Sequence, residues 1–394
     1  MKKVIFVLFI GLMLLVSTST ALAADDSLDI EKVAIASIKN SQNIQSVERR
    51  VALAEKYNED VTTEVNLLRS LMSVRPSYQS MVAIITLPVE RQNDLDKANN
   101  AQSVVTNGTR LTAYKAYIDL LKAKYSLDIQ QGLMNGLNGD YQKAQQQESL
   151  GLISPAELRL SQINYLKSQY AYNSAQKTYQ SASMNVQNLM GEDMETLKQY
   201  STLQDNNITP TDHIRSLDGY VNLAIANRAE IIDAQNTLDK DKKEYELGKS
   251  EMPTDYKFYC QQQQYVIDSA QNDLDLAKIN VQKNIVTLFG TLEAAMTNLD
   301  AEKDLEDQAV VSYQAAETEF KNGQITLKEL GDAKVAKAQA DMNYKNAQLD
   351  AWLAQTTMGS ACGVGYVPAI SSSGMTTVTH KNNPNPTNPN DRND

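Results

Sequence analysis

Cysteine is almost missing: Cys260 and Cys362 are the only two in 394 residues. A disulfide scaffold is excluded, and the state of these two thiols stays open. Histidine is as scarce. His213 falls in a linker and His380 in the C-terminal tail, both outside the helical stretches. No Ser/His/Asp grouping, no metal-spaced His or Cys and no phosphate-cradling glycine loop is present, so catalysis is the weakest functional class. "NGT" at Asn107 and "NIT" at Asn207 match a glycosylation pattern at a rate chance supplies. Aromatics make up 6% of the chain with a single Trp, and proline and glycine are sparse before the tail. Ala, Gln, Leu, Lys, Asp and Glu dominate instead, a composition of long helices. Long apolar runs are lacking too. Val4–Val16 and Met81–Leu87 both fall short of the roughly 20 residues that a spanning helix needs. Positive charge is in deficit, 37 Lys and Arg against 48 Asp and Glu, for a net charge of −11. Such a surface repels nucleic acid and anionic lipid.

What is present begins with a leader. Lys2 and Lys3, the apolar run and Ala21-Leu22-Ala23 form a secretory signal peptide, expected over residues 1–23. The chain is therefore expected to be exported. No cysteine follows the cleavage site, which speaks against a lipid anchor. At the other end "SSSGMTTVTHKNNPNPTNPNDRND" is polar and rich in Pro and Asn, so residues 363–394 are expected to be a disordered tail.

The middle of the chain is written twice. "SLGLISPAELRLSQINYLKSQYAYNSAQ" from Ser149 returns as "KNGQITLKELGDAKVAKAQADMNYKNAQ" from Lys321. Gly151 and Gly323, Ile153 and Ile325, Glu157 and Glu329, Tyr172 and Tyr344, and Ala175 and Ala347 fall at one constant offset. "SLD" at Ser27 and again at Ser216 opens each copy. An Asn follows in the first helix (Asn40, Asn227), and Met190-Gly191 and Met358-Gly359 close them. The expected units are residues 24–200 and 201–362.

Each unit reads as a rising helix, a long helix, a glycine turn and a returning helix. From about Tyr256 to Phe320, apolar residues step by three and four through Ile267, Ala270, Leu274, Ala277 and Val281, continue at Leu288, Leu292, Ala295 and Leu299, and resume after a stutter at Leu305, Ala309, Tyr313, Ala316 and Phe320, which is a coiled-coil seam. About 65 residues at 1.5 Å each give a rod on the order of 100 Å. Its first-unit counterpart, about Val89 to Leu150, is interrupted by Gly108, Gly132, Gly136 and Gly139. In the returning helices Ala333, Ala340, Ala347 and Ala354 recur at sevens, matched by Ser161, Ser168, Ala175 and Ala182, facing Leu158, Tyr165, Tyr172 and Tyr179. Small residues against large ones let helix backbones approach closely. Rods of this length must pack along other long helices, so an elongated homo-oligomer is expected.

Both turns read Gly-x-Ile-[Ser/Thr]-x-x-Glu-Leu. The glycine suits the left-handed position past a helix end. Ser154 or Thr326 then starts the returning helix, with Glu157 or Glu329 at capping-box spacing and Pro155 at the first helical position. Helix capping alone is a sufficient reading of these glutamates.

The duplicated turn, the Asn-bearing first helices and the closing glycines resemble the TolC family of outer-membrane efflux ducts, over about Leu28 to Gly359. The resemblance implies an all-α fold of two coiled-coil repeats in which three chains build a twelve-helix tunnel. It implies an adaptor protein docking at the turns, Gly151, Leu152, Ile153 and Ser154 with Gly323, Gln324, Ile325 and Thr326. An inner-membrane transporter lies beyond the adaptor, and the chain itself resides in the outer membrane or envelope. The pore entrance would be Glu157, Glu329 and Asp332, nine carboxylates in a trimer favouring cations. Phe320 takes the aromatic gate position, and Ile325 stands where a basic gate partner would be. No catalytic residue, cofactor or metal is implied. A membrane barrel requires strands of roughly 9–11 residues. Gly248–Tyr259 is too short for a pair, and Ser73–Pro88 offers one short apolar run, a candidate membrane contact that is read in the first place as buried in the helix–helix connection. The strands are expected to be short or absent. The alternative reading is a non-transporting coiled-coil envelope protein that spaces layers or binds a partner.

Overall fold

The computed structural model describes residues 27–74, 78–196, 198, 200, 202–205, 208–249 and 256–367. The leader and residues 368–394 lie outside them. In chain order the elements are β1 (Ser27–Leu28), α1 (Ile30–Asn40), α2 (Gln42–Val74), α3 (Tyr78–Ser149), α4 (Pro155–Met190), β2 (Thr202–Leu203), α5 (Leu217–Asn227), α6 (Ala229–Lys249), α7 (Tyr256–Lys321) and α8 (Leu327–Cys362). The fold is all-α, as expected. The only strands among the described residues, β1 and β2, pair in parallel over two residues.

Two long helices set the height. α7 spans 66 residues and α3 spans 72, about 100 Å and 110 Å at the helical rise. α7 occupies the range its heptads predicted. α3 starts eleven residues earlier than expected and runs unbroken through all four glycines. Lateral packing along such a lane outweighs the roughly 1 kcal/mol that an interior glycine costs. It also runs through Pro88, which has no N–H to offer the Ile84 carbonyl. The segment expected as a connection, Ser73–Pro88, is therefore mostly helix: Met81–Leu87 forms an early turn of α3 and is half-buried.

Each rising lane is broken once, by a single extended residue: Ser41 (ψ 117°) and Arg228 (ψ 129°). The two asparagines make the break. Asn40 Nδ2 donates to Ala36 O at 3.0 Å and also reaches Met190 O; Asn227 Nδ2 donates to Leu223 O at 2.9 Å and to Cys362 O at 3.3 Å. One amide thus ties the broken helix to the end of the returning helix in both repeats. These bonds correct the sequence register. The offset that carries Gly151 onto Gly323 also carries Met190-Gly191 onto Cys362-Gly363, so Met358-Gly359 lies one helical turn too early. The "SLD" triplets are likewise out of step, because the matched N-caps are Asp29 and Ser216.

α3 is the central lane. It packs against α2 and α4 on one side and against α6 and α8 on the other, and α7 packs against α8, α6 and α5. Two cores result. One gathers Leu28, Val33, Tyr117, Ile118, Leu121 and Val186 around the middle of α3. The other gathers Leu238, Leu274, Val281, Ile285, Leu292 and Met358 between α7 and its neighbours. In the returning helix Ser168, Ala175 and Tyr179 are buried and Tyr165 and Tyr172 half-buried, the small-against-large seam expected there. The single tryptophan, Trp352, meets Tyr114 edge-on at 5.7 Å between α8 and α3. Residues 363–367, expected in the tail, belong to the fold. Val364 O accepts from Ala229 N at 3.0 Å, Gly365 O accepts from Asn107 Nδ2 at 3.1 Å, and Tyr366 touches both cores. Cys260 and Cys362 are free thiols, and burial pushes the Cys362 thiol up.

Candidate functional site: the paired glycine turns

The two turns have one geometry. Gly151 and Gly323 adopt φ +71° and +69°, a left-handed conformation that other residues reach only with strain. Gly151 N donates to Glu148 O at 2.8 Å and Leu152 N to Gln147 O at 2.9 Å. Gly323 N donates to Phe320 O at 3.0 Å and Gln324 N to Glu319 O at 2.9 Å. This is the Schellman closure of α3 and α7, satisfying carbonyls that a helix end leaves open.

The next helix starts within three residues. Glu157 Oε2 accepts from Ser154 N at 2.7 Å and from Ser154 Oγ at 2.9 Å, and Ser154 Oγ accepts from Glu157 N at 3.3 Å. Thr326 and Glu329 repeat the set at the same distances. The amide and hydroxyl of the cap residue hold both carboxyls below the usual glutamate range. Both therefore stay charged to lower pH than an ordinary glutamate, next to helix N-termini that favour negative charge.

The turns come together at one end of the molecule. A cavity of about 520 Å³ separates them, walled by Leu152 and Ile153 from the first turn and by Gly323, Ile325 and Thr326 from the second. Phe320 and Ile325, the positions that the resemblance assigns to a gate, both face it, as does Glu157. Gly151, Ser154, Gln324 and Glu329 do not line it. Asp332 lies one turn deeper, beside a second cavity of about 600 Å³ that also reaches Lys167, Ser168 and Val335.

Three charged groups were missed from sequence. Lys328 Nζ pairs with Asp332 Oδ2 at 2.5 Å, so Asp332 does not carry an uncompensated charge. Asp140 of α3, largely buried, receives Lys334 Nζ of α8 at 2.9 Å and ties the two repeats just behind the turns. The Lys328–Asp332 pair has the i,i+4 spacing that a helix brings together and was legible in principle. The Asp140–Lys334 pair joins separate lanes and leaves no local signal.

No protein-family model matches the chain, and no curated protein matches it in sequence. Solved structures do. The outer membrane protein VceC of Vibrio cholerae superposes with a TM-score of 0.61 at 10% identity, over 86% of this chain and 97% of that one. The CmeC outer membrane channel of Campylobacter jejuni gives 0.55 at 12% identity over 87% of each chain. The open-state MtrE outer membrane channel of Neisseria gonorrhoeae gives 0.54 at 10% identity, over 86% and 89%. The fold is the TolC fold. Within it, the paired turns close the two long helices of a TolC-like protomer. At 10–12% identity the likeness fixes the architecture and leaves the role of each residue to the geometry above.

Proposed function

We propose that this is an exported, TolC-like conduit component, three copies of which form a helical tunnel across the cell envelope with an adaptor protein and an inner-membrane transporter. The turns Gly151–Ser154 and Gly323–Thr326 are the adaptor-docking tip. Glu157 and Phe320, which face the cavity between the turns, form the pore entrance together with Glu329, which stands outside that cavity, and with Asp332 held by Lys328 behind them. The observation that carries this reading is the pair of outer lanes. α7 bears exposed Phe258, Tyr265, Ile279 and Val286 at multiples of seven residues, and α4 bears Ile163, Tyr170 and Met184 in the same spacing; Tyr170 is 78% exposed and Tyr265 74%. Heptad stripes of large apolar residues on both edges of a layer suit a head-to-tail contact between copies, which closes into a ring. Two-thirds of the entrance carboxylates per chain are then unpaired and favour cations.

The second reading, a non-transporting spacer, is favoured by one observation: α2 ends at Val74 and α3 begins at Tyr78, and α6 ends at Lys249 and α7 begins at Tyr256, which leaves fewer residues in each gap than the roughly 9–11 that one spanning strand needs. Planar-bilayer recording separates the two. A conduit gives stepwise, cation-preferring conductance that weakens when Glu157 and Glu329 are both replaced by glutamine. Stable oligomers without conductance support the spacer.

A further inference from the structure

Between α3 and α6, two lanes that join the repeats, lies a cavity of about 340 Å³. Pockets for small molecules run from roughly 300 Å³ upward, so this one suits a ligand of few atoms. Pro88 and Val89 supply its apolar wall, and amides and charges supply the rest. Asn93 stands in that wall with only 7% of its surface exposed, and its Oδ1 accepts no hydrogen bond. A buried amide oxygen without a donor is costly. The amide can turn about its last torsion to present either of its atoms to the cavity.

The charges around Asn93 are incompletely matched. Asp96 Oδ1 accepts from Gln92 at 2.8 Å and Asp239 Oδ1 from Gln235 at 2.9 Å, each an amide of its own helix. Each carboxylate keeps a second oxygen for another donor. Lys240 is already held, by Asp241 at 3.0 Å and Glu244 at 3.4 Å. Lys243 is paired with no carboxylate among the described residues. It follows Asp239 by four residues, a spacing that helices close into ion pairs, as Lys124–Asp128 and Lys337–Asp341 do in this chain. At this cavity the two opposite charges both line the wall and stay apart.

The register orders these groups. Asn100 Nδ2 donates to Asp233 at 2.6 Å between antiparallel α3 and α6. Counting from that bond places Asp96 and Asp239 toward one end of the cavity and Lys243, Pro88 and Val89 toward the other. A simple cation would leave Lys243 unmatched, and a simple anion would meet the two carboxylates. Among the described residues no group of three or more His, Cys, Asp or Glu is placed to hold a metal ion. A ligand that answers every wall carries an ammonium and a carboxylate a few bonds apart, with an apolar branch beside them.

We propose that this cavity binds a free α-amino acid with an apolar side chain. The ammonium donates to Asp96, Asp239 and Asn93 Oδ1, the carboxylate accepts from Lys243, and the side chain lies on Pro88 and Val89. Both helices belong to one chain, so the site stands independently of the conduit reading. Calorimetric titration of the full chain with L-leucine tests it, and saturable binding of one leucine per chain is expected. Leucinamide, which lacks the carboxylate, and N-acetylleucine, which lacks the ammonium, are each expected to bind about tenfold more weakly or worse. Lys243→Gln should weaken leucine by about tenfold and leave leucinamide unchanged. Asp96→Asn with Asp239→Asn should weaken leucine as much and leave N-acetylleucine unchanged. Circular dichroism should show full helical content in each variant, since none of these three side chains is buried. No binding at millimolar leucine, equal affinity for the three compounds, or losses that do not follow the matching charge overturns the proposal. So does displacement of leucine by calcium chloride at constant ionic strength, which assigns the carboxylates to a cation. Missing conductance with leucine binding intact removes the conduit reading alone.

Discussion

At the residue scale, the tip depends on two hydroxyl–carboxylate pairs. The folded-state pKa of Glu157 and Glu329 lies below the ordinary glutamate value because Ser154 and Thr326 donate to them. Their capping contribution is thus complete above the unfolded value and is lost as pH falls through the depressed one. Carboxyl NMR titration should give both glutamates midpoints below an ordinary glutamate, moved only part of the way back in Ser154→Ala and Thr326→Ala respectively, which remove the hydroxyl and keep the backbone N–H. Ordinary midpoints in the unaltered chain would mean that the boxes are not formed. This part of the site was legible in the sequence, since Gly-x-Ile-[Ser/Thr]-x-x-Glu states a helix stop and a helix start in local terms. The neutralisation of Asp332 by Lys328 and the buried Asp140–Lys334 tie were not read. One needed attention to i,i+4 partners, and the other depends on which lanes are neighbours.

At the scale of elements, the waist of the first repeat is held by tyrosines. Tyr114 donates to Glu31 and Tyr125 to Asp205. The Tyr117 hydroxyl sits 2.7 Å from Leu28 O and 2.8 Å from Gln204 O, against the β1–β2 pair. Tyr200 donates to Glu192 at 3.0 Å. Burial first, and for Tyr114, Tyr125 and Tyr200 a neighbouring carboxylate next, raises the pKa of all four phenols. A raised folded pKa means stability that is intact below the unfolded value of about 10 and is lost as pH climbs past it. Melting temperature should therefore fall above pH ~10. Tyr114→Phe with Tyr125→Phe should flatten that fall while lowering the neutral-pH value; an unchanged alkaline slope would show that these phenols do not hold the waist. Helix lengths were readable from heptads, which sum over many residues. The breaks after Asn40 and Asn227 were not, because each rests on one extended residue and a hydrogen bond to a helix end far along the chain. For the same reason Met358-Gly359 imitated a closing motif that Cys362-Gly363 in fact supplies.

For the whole molecule, the edges decide whether a ring forms. Ile279→Glu with Val286→Glu on α7, or Ile163→Glu with Tyr170→Glu on α4, should each reduce the particle to a single chain with its helical content kept, as read by light scattering and circular dichroism. Burying an unpaired carboxylate in an apolar seam is too costly for the contact to survive. A unaltered protein that runs as one chain, or variants whose mass does not change, would remove the tunnel. The sequence announced rods needing partners, and it announced too little room for a barrel. It did not announce that the first hairpin would continue as helix through Pro88, since a proline after an apolar β-branched run reads as the end of an element.

Glycine at position 108 has its own consequence. A β-carbon there would stand 2.0 Å from the Val367 carbonyl oxygen, so only a bare backbone lets the chain pass over the mid-point of α3. Position 367 is thereby pinned to the girdle of α3, well away from both ends of that helix. A label attached at Val367 itself would report on the middle of the shaft and leave the glycine turns unobstructed.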